Sequence, residues 1–304
     1  MLDDQLDPRT QSDRDRGAEF ARRGDGRDPG GIFARGLDLP DGPERERVHV
    51  PEHGQDYYLR GSEVRALATI GAFRVVPADD IRDQADRPGD IRRGDLARLR
   101  AAGLIRTVAP LDRETRTAII TLTERGRELL ESRRPTTDDR SQRFVAGAVK
   151  SRELSHDAQV YRAFLRTAHR LGNEGARVER IVLESELKRD YHRFLQDGNR
   201  GRADSDGRPT RSADEVNEWA RENRLPVVDG QVQFPDLRVE YEHPDGRRDI
   251  ENVEVTTVHY RGRHAASKAS AGFTRFRGST PRIGGSGAMR QGSPFDPGLA
   301  EELL

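Results

Sequence analysis

The chain has 304 residues, with 53 Lys and Arg against 53 Asp and Glu, so its formal net charge is zero and no global field draws it towards a polyanion. Hydrophobic residues make up 33% and charged residues 35%, a polar balance that places part of the length outside any packed core. There is no cysteine, which excludes a disulfide framework, thiolate zinc sites, iron–sulfur ligation and a thiol nucleophile.

No apolar run approaches the ~20 residues that span a bilayer, and the first residues, MLDDQLDPRTQSDRDR, have neither the basic start nor the apolar stretch of a signal peptide. The expectation is a soluble cytoplasmic protein with no membrane partner. Among the 53 basic residues only Lys150, Lys188 and Lys268 are lysine, so any chemistry that needs a lysine has three candidates.

Residues 1–55 are rich in Asp, Arg, Gly and Pro and are expected to form a disordered arm, with one short apolar run at Ile32, Phe33, Leu37 and Leu39. A first structured block is expected over 56–134, a polar linker over 135–146, a second block over 147–277 and a flexible tail over 278–304. The stretch 197–214 has connector composition as well.

In the first block, Val64, Leu67, Ile70 and Phe73 recur at helical spacing after Ser62, which is expected to cap a helix. Pro77 opens a short amphipathic stretch with Asp79 and Asp80 in its first turn. A third helix is expected from Asp90, burying Ile91, Leu96 and Leu99 and stopping at Gly103. IRTVAPLDRETRTAIITLT then reads as a β-hairpin, and Thr123 begins another helix.

This order, three helices, a hairpin and a helix, is that of a winged helix-turn-helix. The run LARLRAAGLIRTVAPLDRETRTAIITLTERGRELLE resembles the third helix, wing and following helix of MarR-type regulators. The resemblance implies that the third helix enters a DNA major groove while the hairpin reaches the neighbouring backbone. Between Asp90 and Arg116 seven arginines face four acids, and Arg92, Arg93, Arg98, Arg113 and Arg116 are the candidate DNA contacts. The alternative is a protein-docking or dimer module whose charges form a solvated face.

In the second block, SHDAQVYRAFLRTAHRL is an amphipathic helix, and ARVERIVLESELKRDYHRFLQ passes from strand to helix. Val232, Phe234, Leu237, Val239 and Tyr241 suggest a strand interrupted at Pro235. His243 to Gly246 signals a turn, and Val253, Val255 and Thr257 alternate as a returning strand. Such a hairpin brings Asp236 and Glu254 together, since adjacent strands lie about 5 Å apart. Two carboxylates in that arrangement suit a hard divalent cation such as Mg²⁺ or Mn²⁺.

Pro235-Asp236, Glu254, the acids of LESELKR and a helix starting near Arg263 together resemble the PD-(D/E)xK nuclease superfamily. More narrowly, they resemble the replication-relaxation family of plasmids and integrative elements, which joins a winged helix to a nuclease-like domain. The resemblance implies an α+β chain with an N-terminal winged helix followed by an α/β restriction-endonuclease-like domain. It also implies metal ligation by Asp236 and Glu254, and a helix-side acid at Glu184 or, preferentially, Glu186. The lysine of the family motif is missing, because Thr256 stands two residues after Glu254.

Three readings of that departure stay open. Lys268 could reach back from the following helix; His259 or His264 could supply the proton relay or a ligand; or the site is catalytically dead. From Val255 to Phe295 there is no acid, while seven cations occur, among them Arg261 and Arg263 as candidate DNA contacts. Tyr260, Phe273 and Phe276 could stack on bases, though the last two have the spacing of core residues.

No GxxxxGK[ST], GxGxxG after a strand, HExxH or nucleophile elbow is present. The functional expectation is a DNA-binding protein of a plasmid or integrative element, acting in replication, relaxation or conjugative transfer, with or without metal-dependent nicking. A silent regulator or adaptor recruiting relaxase or replication proteins is the alternative. A ligand-responsive repressor is a third, and a homodimer is left open.

Overall fold

The computed structural model describes residues 31–41, 46–82, 94–110, 118–135, 141–147, 151–199, 211–256, 268 and 270–277. They form a mixed α+β structure with several sheets. The N-terminal half opens with a two-stranded antiparallel sheet of β1 (Val48–Glu52) and β2 (Gln55–Leu59). Helix α1 (Gly61–Ala72), strand β3 (Val76–Pro77) and the short α2 (Ala78–Arg82) follow. Next come α3 (Asp95–Ala101), β4 (Ile105–Pro110), β5 (Ala118–Leu122) and α4 (Glu124–Ser132). Strand β5 sits between β3 and β4 in a three-stranded sheet.

Helix α1 starts earlier than the sequence suggested. Ser62 lies inside it, buried, and its hydroxyl donates to Asp95 at 2.8 Å, while the amide of Arg60 donates to Glu63 to close the first turn. Gly103, at φ +72, ends α3 as anticipated, and Thr123 caps α4 by accepting from the Gly126 amide at 3.1 Å. Asp90, Ile91, Arg92 and Arg93 lie outside the described residues, as do Arg113 and Arg116.

The C-terminal half is built on a four-stranded sheet whose strands lie, from edge to edge, in the order 274–277, 248–256, 237–242 and 177–183. Helix α5 (Ser151–Asn173) packs on one face of β6 (Arg177–Leu183), β9 (Leu237–Glu242) and β10 (Arg248–Thr256). Between β6 and β9 the chain inserts α6 (Glu184–Asp197), α7 (Ala213–Glu222) and the small hairpin of β7 (Val227–Val228) and β8 (Gln231–Val232). Neighbouring strands are antiparallel except the last pair, where β11 (Thr274–Arg277) runs parallel to β10. The chain therefore crosses back between β10 and β11, and Lys268 lies on that crossover. The strand expected from Val232 through Tyr241 is two strands, broken over 233–236.

Composition misjudged two segments. Within the arm expected to be disordered, Ile32, Phe33 and Ala34 are buried, and β1 is already formed at Val48. In the expected linker Phe144 is buried, the Val145 amide donates to Gly71 at 2.7 Å, and the side-chain oxygen of Gln142 accepts from the Ile181 amide of β6 at 3.0 Å. Both segments are polar on average but carry one or two large apolar residues that the core can take.

Beside a small cluster of Val75, Ile119, Leu154 and Ala158, one large apolar cluster joins the two halves. Its centre is aromatic: Phe73 after α1 meets Tyr161 of α5 at 4.9 Å and Phe33 at 5.6 Å, and Phe33 meets Phe164 at 5.3 Å. Around it, Arg162 forks onto Asp80, and Arg74 meets Glu153 at 3.0 Å and Asp157 at 3.4 Å. Phe273 and Phe276 are buried, in keeping with their core spacing. Among the described residues no helix is long and apolar enough to cross a membrane.

Candidate active site

Three adjacent strands end at one place. Leu183 of β6 and Val253 of β10 are both register partners of Leu237 of β9, so Glu184, Asp236 and Glu254 each lie one step beyond a matched position. The Glu184 amide donates to the Asp236 carbonyl at 3.3 Å, which continues the β6 pairing into the first residue of α6. Three acids on neighbouring strand ends would repel one another unless a cation lay between them.

Lys268 is that cation. Its Nζ lies 2.8 and 3.0 Å from the two carboxylate oxygens of Glu254, 3.5 Å from Oδ1 of Asp236 and 3.7 Å from Oε1 of Glu184. Asp236 is fastened twice more. Its Oδ2 accepts from the Val255 amide at 2.8 Å, and its Oδ1 lies 3.3 Å from Nε2 of His156, on α5. Asp236 is 7% exposed and Glu254 2%, a depth at which carboxylates persist only when paired.

The electrostatics follow from those contacts. Burial alone would raise the carboxyl of Asp236, but the His156 hydrogen bond, the Lys268 charge and the Val255 amide outweigh it and hold it below the usual carboxylate range. The same hydrogen bond raises His156, against its own partial burial. Burial works to lower Lys268, yet the surrounding carboxylates raise it, so the ammonium form is strongly held.

Of the sequence-derived catalytic candidates, Asp236, Glu254 and Lys268 are brought together and Glu186 is not. Glu186 sits two residues into α6, which turns its side chain about 200° away from that of Glu184, and it lies 3.5 Å from Arg143 instead. Burial raises its carboxyl, with Arg143 opposing. Glu184 takes the place at the site because strand pairing carries one residue into the helix. His156 went unnoticed because it stands on a different helix, eighty residues before Asp236, with no motif spacing to mark it. His259, His264, Arg261 and Arg263 lie outside the described residues.

Two hard, buried carboxylates with a third at the rim have the donor chemistry of a Mg²⁺ or Mn²⁺ site that keeps most of its waters. Among the described residues, however, no group of three or more His, Asp or Glu side chains is spaced to hold a metal ion. The donors fit such a cation only if the Lys268 ammonium yields part of its contact with Glu254 and Asp236.

A second, cationic surface lies in the N-terminal half. On α3, Leu96 and Leu99 are buried, and Arg98 and Arg100 stand on the exposed side with Arg106 beyond them on β4. Arg60 and Ser62 of the α1 start both bind the fully buried Asp95, which fixes the first turn of α3. No known family model matches the chain, and neither does any curated protein or solved structure.

Proposed function

We propose that the chain is a DNA-binding protein with a phosphodiester-cleaving site. In this reading the N-terminal half is a winged helix that presents α3 to duplex DNA, and the C-terminal half is a nuclease-like domain of the PD-(D/E)xK kind. The observation that carries the proposal is the position of Lys268. It reaches Glu254 and Asp236 from the crossover after β10, which supplies from a helix the lysine that Thr256 denies the strand. A mobile-element role in replication, relaxation or transfer is the biological setting the sequence resemblance implies.

A divalent cation held by Asp236 and Glu254 would lower the pKa of a bound water and offset charge on the phosphate. The protein groups divide the remaining work. His156 and the Val255 amide keep Asp236 ionised and oriented. The Lys268 ammonium donates to the attacking oxygen and to the charge that develops on the phosphate. One water adds to phosphorus, one P–O ester bond breaks, and the proton of the water ends on the departing alkoxide.

A second reading starts from the same contacts. An ammonium that already contacts both acids, with His156 on Asp236, offsets most of their charge, and such a buried cluster can serve as a purely structural pin in an adaptor that recruits replication or transfer proteins. Nicking of supercoiled plasmid in Mg²⁺ or Mn²⁺ separates the two. Activity lost in Asp236→Asn, Glu254→Gln and Lys268→Met supports cleavage. Equal activity in wild type and all three variants marks a contaminant, and no activity in either metal favours the adaptor.

A further inference from the structure

Helix α6 begins at the site and leads away from it. Its apolar stripe, Leu187, Tyr191 and Phe194, turns inward onto Trp219 and Phe234, with Tyr191–Trp219 ring centroids 5.1 Å apart and Phe194–Trp219 5.5 Å. The opposite side is set by the same period: Ser185, Lys188, Arg189, His192, Arg193 and Gln196 are all exposed. Three of the four acids of the helix are turned elsewhere, and the fourth, Asp197, is exposed at its last residue. Glu184 points to Lys268 and Lys188, Glu186 to Arg143, and Asp190 serves Arg193 at 3.2 Å and Arg189 and Arg143 at 3.9 Å.

Composition alone does not produce this. The neighbouring helix α7 exposes Asp214, Glu215, Glu218 and Glu222 against one cation, Arg221. Surface pairs between half-exposed side chains are worth little, so the cations of α6 remain available to a stronger anion.

We propose that the exposed face of α6 is the track along which a DNA strand's phosphates are led into the acid–lysine site, with Lys188, Arg189 and Arg193 as the phosphate contacts. The proposal rests on the nuclease reading of that site. From Glu184 to Arg193 the helix advances about 13 Å, the axial span of about four successive phosphates on one duplex strand. No apolar side chain is exposed on this face between Ser185 and Gln196, so an acidic peptide would find charge but no anchor. Every exposed group there is a hydrogen-bond donor or can become one, which suits a repeating line of phosphate oxygens.

The test is the salt dependence of binding of the full chain to a short fluorescent duplex between 50 and 200 mM salt. The triple variant Lys188→Gln, Arg189→Gln, Arg193→Gln should lose about 2 to 3 from the slope of log affinity against log salt, roughly one per phosphate contact, and bind at least about tenfold more weakly at low salt. Arg189→Lys with Arg193→Lys keeps the charge and should keep the slope, and Arg221→Gln on α7 should change nothing. A triple variant with wild-type slope and affinity overturns the proposal, as does equal competition by polyglutamate. Plasmid nicking by a protein whose slope ignores the three residues sinks the track and leaves the nuclease. A slope that depends on them in a protein that never nicks does the reverse.

Discussion

Lys268 is the residue on which the site turns, and its removal makes two opposite demands on the protein. Breaking a buried ion pair by deleting one partner costs about 3–5 kcal/mol, because the other charge is left uncompensated. Lys268→Met should therefore lower thermal stability by that order, and Asp236→Asn in the same chain should recover part of it. A divalent cation should replace the ammonium, so the melting temperature of Lys268→Met should rise more with added Mn²⁺ than that of wild type. An identical response in both proteins would mean that the carboxylates do not take a cation. Asp236, Glu254 and Lys268 were legible in the sequence because a hairpin register and a scarcity of lysine narrow the choice. Glu184 over Glu186 was not, since one step of strand pairing beyond β6 decides between them.

Asp157, beside His156, gives a second residue-scale expectation. Burial pushes its carboxyl up to about 6, with Arg74, 3.4 Å from its Oδ2, opposing. Below pH about 4 it is protonated whether the chain is folded or not. Between there and about pH 6 the unfolded chain has released a proton that the folded chain keeps, so stability falls as pH rises, by roughly 3 kcal/mol in all. Asp157→Asn removes that penalty. Its melting temperature should gain on wild type between pH 4 and pH 7.5, and a difference that is flat or reversed over that range would remove the assignment.

At the scale of elements, the contact between α4 and the β4–β5 hairpin depends on an absent side chain. A Cβ on Gly126 would overlap the carbonyl oxygen of Leu104 and lie 2.7 Å from Cδ1 of Leu122, so the helix can sit this close to the strands only with glycine there. Gly126→Ala should cost about 1–3 kcal/mol by overpacking, despite alanine's better helix propensity. Exchange of the β5 amides would report it, and unchanged protection would refute the close approach. The elements of the N-terminal half were visible in sequence from periodicity and turn residues: Gly103 ends α3 and Thr123 caps α4 as read. The start of α1 was misplaced because a serine near a helix start looks like a cap, whereas Ser62 is spent on Asp95 of another helix. Local signals cannot register a partner more than thirty residues away.

For the whole molecule, the sequence suggested two blocks on a string, and the described residues instead share α5. One side of that helix, with Val160, Ala163 and Phe164, is buried in the same cluster as Phe33, Phe73, Val239 and Val253. Composition hides such an arrangement, because the residues that close the gap, Ile32 and Phe33 on one side and Phe144 on another, are isolated within polar stretches. The physical consequence is cooperativity. Phe33→Ala, in the arm, should lower stability by about 3–5 kcal/mol, the cost of a large aromatic cavity in a core that cannot collapse onto it. It should do so in one transition, with near-ultraviolet dichroism from Trp219 in the far half lost at the same midpoint as far-ultraviolet helix content. Two separated transitions, with only the N-terminal half shifted, would show that α5 does not join them. Joined halves also give α5 a role at the site. Arg74 and Asp80 hold the helix from the N-terminal half at Glu153, Asp157 and Arg162, and His156, within the same stretch, holds Asp236. Arg74→Met should therefore weaken plasmid nicking along with stability, and a variant that nicks at the wild-type rate below its melting temperature would show that α5 carries structure alone.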